Sequence, residues 1–203
     1  MSVDVHETAD TRGRLSAHAA SGPGDSVLDD SVLDDSVLDD SVLDGSGLDP
    51  ATLRRVFGAY PTGVTALAAL VDGEPVGMAA NSFTSVSLDP PLVSVCVATS
   101  SQTWPALRGS ARLGVSVLSH EQEQASRSLA ARGTDRFAGL SWCATPDGAV
   151  LLAGASAWLD CSVDREIRAG DHEIVLLRVH SLGSGPEVAP LVFHGSRYRR
   201  LAA

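Results

Sequence analysis

The chain has 203 residues, 44% of them hydrophobic and 20% charged, with a net charge of −10; this composition fits about one soluble domain with one substantial core. Its longest apolar-leaning run, residues 64–71, is strand-sized and far short of the ~20 residues of a spanning helix. The N-terminal MSVDVHETAD lacks an apolar signal segment, so the expected setting is the cytoplasm, with no membrane association.

The charge is unevenly spread: residues 1–47 carry −9 and residues 48–203 carry −1. A nearly neutral body offers no basic field for a polyanion, which argues against nucleic acid as a partner. All fifteen basic residues are Arg. Without lysine there is no Walker-type phosphate loop, no Schiff-base chemistry and no lysine general base. Cys96, Cys143 and Cys161 are far apart, without metal-ligand spacing, and read as reduced core thiols; no metal is expected.

From Ser26 the pentapeptide SVLDD runs three times and ends in SVLDG at Gly45. A five-residue period matches neither a helix nor a strand, so no continuous apolar stripe forms. Residues 1–47 are therefore expected to be a disordered acidic tail, and residues 48–203 the folded domain.

The domain opens with a capped helix: Asp49 as the cap, Pro50 in the first turn, and Leu53, Val56 and Phe57 on one face. Strands are expected at 64–71 and 75–80 around the Asp72-Gly73 turn, then at 92–98 and 112–118. Ser119 and Gln122 form a capping-box pattern for a helix to about Leu129. Strands at 157–165, 173–180, 191–194 and 198–201 complete the set. Closely spaced strands with few helices predict a mainly β protein, an antiparallel barrel with a few peripheral helices. No GxGxxG follows a strand, which excludes Rossmann-type dinucleotide binding.

The most informative stretch is residues 77–93. Gly77, Ala79 and Ala80 let a flat ligand approach the backbone, while Asn81, Ser82, Thr84 and Ser85 supply uncharged donors and acceptors around Phe83. This suits a heteroaromatic ring read along its edge by main-chain hydrogen bonds. Residues 98–104, rich in hydroxyls and placed before a short Pro-containing helix, form a candidate anion site.

FGAYPTGVT at 57–65, GMAANSFTSVSLDPPLVSVCV at 77–97, Ser101-Gln102-Thr103, Asp135-Arg136-Phe137, Asp171-His172-Glu173-Ile174 and PLVFHG at 190–195 together resemble the flavin reductase family. The resemblance covers about residues 49–201. It implies an FMN-binding split barrel and an NAD(P)H:flavin oxidoreductase that supplies reduced flavin to a partner flavin-dependent monooxygenase. It also implies a homodimer with the flavin at the subunit boundary.

In site terms it implies that Met78, Ala79, Ala80, Asn81, Ser82, Phe83 and Thr84 run along the isoalloxazine and ribityl chain. Ser94, Val95 and Cys96 would line the neighbouring strand. Ser100, Ser101 and Thr103 would hold the phosphate, Phe137 would close over the flavin, and Asp171 and His172 would lie beside the nicotinamide, His172 as the catalytic candidate. FMN and FAD both remain open, and NADH is placed ahead of NADPH. Two alternatives share the barrel: a non-enzymatic flavin carrier, and a pyridoxamine phosphate oxidase-like relative, which relies on basic phosphate ligands this chain does not display.

Overall fold

The computed structural model describes residues 48–185 and 187–201. The expectation of a disordered repeat-bearing tail at 1–47 lies outside the described residues. Helix α1 (Pro50–Phe57) begins where Asp49 accepts from the amides of Ala51 and Thr52 at 2.8 and 3.2 Å, satisfying two of the donors that a helix start leaves open. None of its residues is buried.

The strands follow in chain order: β1 (Thr62–Gly63), β2 (Thr65–Val71), β3 (Glu74–Ala80), β4 (Thr84–Leu88) and β5 (Pro91–Ala98). A four-residue helix α2 (Trp104–Leu107), β6 (Leu113–Val117) and α3 (Glu123–Ala130) come next. After β7 (Trp142–Ala144) and β8 (Val150–Leu152) come two long strands, β9 (Ala157–Ala169) and β10 (His172–Ser184), then β11 (Val192–His194) and β12 (Arg197–Arg199).

Seven strands make one antiparallel sheet in the order β3-β2-β6-β9-β10-β5-β4. The sheet curls until the end of β3 meets β5. At that seam the Ser82 hydroxyl donates to the Cys96 carbonyl at 3.1 Å and accepts from the Cys96 amide at 2.9 Å. The backbone groups of β5 that β4 leaves open are thereby satisfied by a side chain.

The interior is filled by Leu67, Val95, Val97, Leu113, Val115, Val175 and Leu177, and Trp104 and Leu107 of α2 pack into the same cluster. A second core lies on the outer face of β2, where Ala66 and Ala68 meet Leu118, Leu129, Phe137, Val150 and Leu152. Both faces of β2 are therefore covered, which is why TALAALV reads as an unbroken apolar run rather than an alternating one.

The outcome corrects several boundaries. The helix expected from Ser119 starts at Glu123 with Gln122 at its cap, and the Gln122 carboxamide accepts from the Ser119 amide at 2.9 Å. Half of the capping box thus forms, one turn ahead of the helix. Strands β1, β4, β7 and β8 add to the expected set. β9 runs on to Ala169 and β10 to Ser184 because the two strands pair with each other over their whole lengths, Ala169 opposite His172 at the turn and Ala157 opposite Ser184 at the far end. Of the cysteines only Cys161 is a core thiol, its pKa pushed up to about 12 by burial; Cys96 and Cys143 are exposed.

Candidate functional site

Where β3, the end of β5, the loop before α2 and the C-terminal turn of α3 converge, a cleft of about 250 Å³ opens, lined in part by Met78, Ala79, Ala98, Ser100, Ser101 and Thr103. A neighbouring recess of about 120 Å³ shares Ala79 and Ala130 with it and is bounded by Ala80, Asn81, Phe193 and Tyr198. The strand edge from Met78 to Asn81 therefore borders two adjoining recesses that meet at Ala79 and Ala130. Tyr198 is fixed there by a 2.8 Å hydrogen bond with Ser126 and by the Arg127 guanidinium 4.9 Å over its ring.

The cleft is cationic at one end. Arg136, at its wall, donates from Nε to the Ala131 carbonyl at 2.7 Å and from one terminal nitrogen to the Gly77 carbonyl at 2.9 Å and Thr103 Oγ1 at 2.6 Å. None of these partners is charged, and among the described residues no carboxylate pairs with Arg136 or with the exposed Arg132 that also lines the cleft. Since Thr103 Oγ1 already accepts from Arg136, its own proton is free to donate to an anion. A guanidinium fixed to neutral groups and surrounded by hydroxyls is a phosphate-binding arrangement.

This replaces the sequence expectation of a helix N-terminus. Helix α2 has only four residues, and the macrodipole of such a helix is small. Arg132 and Arg136, with Leu129 and Ala130 of α3, line the cleft without having been placed in the site from the sequence. The available signal was Arg136 itself, within the Asp-Arg-Phe triplet.

Gly77 sets the depth of the cleft wall. A Cβ there would lie 2.8 Å from the Leu67 carbonyl oxygen and 2.9 Å from the Phe137 ring, so only glycine lets Phe137 pack on the strand. Phe137 is 7% exposed and meets Trp142 edge to face at 6.4 Å between centroids. It borders a recess beside Thr103 and Arg136.

The remaining expected residues divide. Thr84 and Ser94 are register partners on β4 and β5, and Ser82 and Cys96 are joined through the seam described above. Val95 is fully buried in the barrel interior, because its side chain alternates to the opposite face from Ser94 and Cys96; it is a core residue, and its side chain does not reach the cleft. Phe83 also packs toward the interior.

His172 opens β10 directly opposite Ala98, a residue of the cleft lining. Its Nδ1 lies 2.8 Å from Asp171 Oδ1, and its side chain is 46% exposed. The hydrogen bond to His172 and the histidine's charge, with a smaller contribution from Arg54, hold the Asp171 carboxyl below its ordinary value. An ionised carboxylate only accepts, so Nδ1 carries the proton and Nε2 is the nitrogen left for a ligand. The Asp171 carbonyl accepts from both the amide and hydroxyl of Thr99, at 2.9 and 3.0 Å, which ties the hairpin to the start of the hydroxyl-rich loop.

Residues 57–202 match the model of the flavin reductase like domain, and the chain belongs to that family. The reductase subunit HsaB of a flavin-dependent monooxygenase from Rhodococcus jostii is 39% identical over 149 residues, covering 73% of this chain and 76% of the relative. Among solved structures, NADH:FAD oxidoreductase SgcE6 of Streptomyces globisporus, determined with NAD and FAD fragments, superposes with a TM-score of 0.71 at 43% identity, covering 76% of this chain and 93% of that one. A homologue of nitrilotriacetate monooxygenase component B from Mycobacterium thermoresistibile gives a TM-score of 0.72 at 38% identity, with coverage of 75% and 86%. The expected mainly β barrel is thus the fold of the family.

Proposed function

We infer that this protein is an NAD(P)H-dependent flavin reductase that supplies reduced flavin to a partner monooxygenase. The observation that carries the reading is the groove itself. The edge of β3 with small residues at Ala79 and Ala80 lies beside three hydroxyls and an uncompensated Arg136, as a planar ring with a phosphate at its end requires. Flavin, when bound, supplies the ring that accepts hydride from nicotinamide, so the protein needs no acid–base constellation of its own. The chain's residues bind and orient: Arg136, Ser101 and Thr103 would hold the phosphate, and the backbone of β3 would read the ring edge. Phe137 would exclude water from one side, and His172, oriented by Asp171, would offer Nε2 to the nicotinamide carboxamide.

NADH and FAD are the pair we propose first, in line with a relative from Streptomyces globisporus that is named as an NADH-dependent FAD reductase. Purified protein mixed with NADH or NADPH, and with FMN, FAD or riboflavin in turn, should oxidise many equivalents of nucleotide per protein. Flavin binding without nucleotide oxidation would instead make the barrel a carrier.

Replacing His172 by Ala is expected to raise the KM for NADH about tenfold and leave flavin affinity nearly unchanged, since the residue would contact only the nucleotide. Unchanged NADH kinetics would remove it from the site. Because the Asp171 carboxyl titrates below its ordinary range, its hold on His172 is complete above that range and is lost only as pH falls through the lowered pKa. NADH KM should then be insensitive to the aspartate across neutral and mildly acidic pH.

We also propose a cytoplasmic homodimer. Val56, Phe57 and Tyr60 are 53, 69 and 75% exposed on and just after a helix that buries none of its residues, an apolar surface that a second copy would cover. Phe57→Glu should yield a monomer in sedimentation. Removing residues 1–47 should change neither the number of protomers per particle nor turnover, since the proposed domain begins at residue 48.

A further inference from the structure

We propose that Glu166 is a positioning residue for the phosphate loop, acting through helix α2, and that it sets affinity for phosphate-bearing flavins; this rests on the flavin reading above. Glu166 stands opposite Val175 in the β9–β10 pairing, and Val175 is fully buried in the barrel interior. Opposed residues share a face of the sheet, so the carboxylate is directed to the interior side at one end of the barrel.

Helix α2 covers that end, with Trp104 and Leu107 only 3% and 0% exposed. The Trp104 indole N–H donates to Glu166 Oε1 at 2.8 Å, and the Arg108 guanidinium pairs with Oε2. One carboxylate therefore holds the first residue of the helix and the residue that follows its last.

From Trp104 the connection runs directly to the loop. The Trp104 amide donates to Ser101 Oγ at 3.2 Å, and the amides of Ala106 and Leu107 bond the Thr103 carbonyl at 3.1 and 3.3 Å. Arg136 holds Thr103 from the cleft side; Glu166 holds the same segment from the barrel side. Glu166 itself is absent from the cleft lining, so any effect it has on a ligand passes through the loop. Charge-assisted bonds to both oxygens, on a partly buried group, make this a stiff tether.

The test compares FMN with riboflavin, which differ by the phosphate, and reads amide hydrogen exchange across residues 101–107 without ligand. Glu166→Ala should raise the Kd for FMN about tenfold, as loss of a charge-assisted tether would, and change riboflavin affinity by less than about twofold. Exchange at 101–107 should speed up while β2, β6 and β9 stay protected. Glu166→Gln, whose oxygen still accepts from the indole, should recover most of the FMN affinity. Trp104→Phe removes the N–H and keeps a ring in the core, so it should reproduce the FMN-selective loss in weaker form even if the alanine variant fails to fold.

Equal weakening of FMN and riboflavin would make Glu166 a general support of the barrel and overturn the proposal. So would unchanged FMN affinity, or unchanged exchange at 101–107. If the wild-type protein binds neither flavin, the flavin reading falls with it, and the exchange comparison alone decides whether Glu166 tethers the loop.

Discussion

Arg136→Met is expected to weaken FMN binding by roughly a hundredfold, the equivalent of one to two charge-assisted hydrogen bonds, with a much smaller loss for riboflavin. The guanidinium holds charge that its own partners leave over. Arg136 spends Nε and one terminal nitrogen on two backbone carbonyls and Thr103 Oγ1, which fixes the guanidinium plane but neutralises nothing. Its other terminal nitrogen has no partner of its own among the described residues, and the hydroxyls of Ser100, Ser101 and Thr103 share its cleft.

Methionine keeps the aliphatic stem and removes both the charge and the fork. Arg136→Lys should restore part of the affinity as a point charge without the bidentate geometry. Fluorescence titration of each variant with FMN and with riboflavin measures the ratio directly. A ratio equal to wild type would show that the phosphate sits elsewhere. The salt dependence offers a second check: FMN affinity of the native protein should fall with ionic strength more steeply than that of Arg136→Met.

Much of this site was legible in the sequence, because it depends on backbone exposure. Ala79 and Ala80 mark a strand that a ligand can approach, and β3 occupies that stretch, whereas Gly77, read the same way, makes room for Phe137. What remained hidden depends on contacts distant in sequence. Arg136 is 59 residues from the Gly77 carbonyl it bonds and 33 from Thr103, and only its place in the Asp-Arg-Phe triplet sets it apart from the chain's other arginines.

Val95 shows the opposite limit. Its neighbours Ser94 and Cys96 lie on the outer face, and the period-two alternation alone was enough to put Val95 inside; a motif carried over as a block ignores that alternation. In the fold, strands with continuous apolar runs were found by pattern. The short β7–β8 hairpin was not, since WCA is exposed along its length and VLL is too brief to show a period.

That hairpin carries the second large effect. Gly114→Ala is expected to destabilise the fold by about 3 kcal/mol or more, because the added methyl has nowhere to go. Gly114 is the second residue of β6, paired with Ala68 on one side and Asp160 on the other. A Cβ there would sit 2.0 Å from the Val150 carbonyl oxygen and 2.6 Å from its carbon.

These are backbone atoms, so no rotamer change relieves the overlap; β8 itself must lift off the sheet. Lifting it would break two bonds that dock the strand, Ser116 Oγ to the Leu152 amide at 3.0 Å and the Trp158 indole to the Leu152 carbonyl at 2.7 Å. It would also withdraw Val150 and Leu152 from the outer core they share with Leu129 and Phe137. For a domain of this size the expected fall in Tm is roughly 10 °C. Since Leu129 and Phe137 border the groove and its adjoining recess, flavin affinity measured well below the lowered Tm should fall as well, for riboflavin as much as for FMN. That equal loss separates a displaced wall from the phosphate-selective loss of Arg136→Met. A Gly114→Ala protein that melts at the wild-type temperature would mean that β8 does not lie against β6 as closely as Gly114 permits.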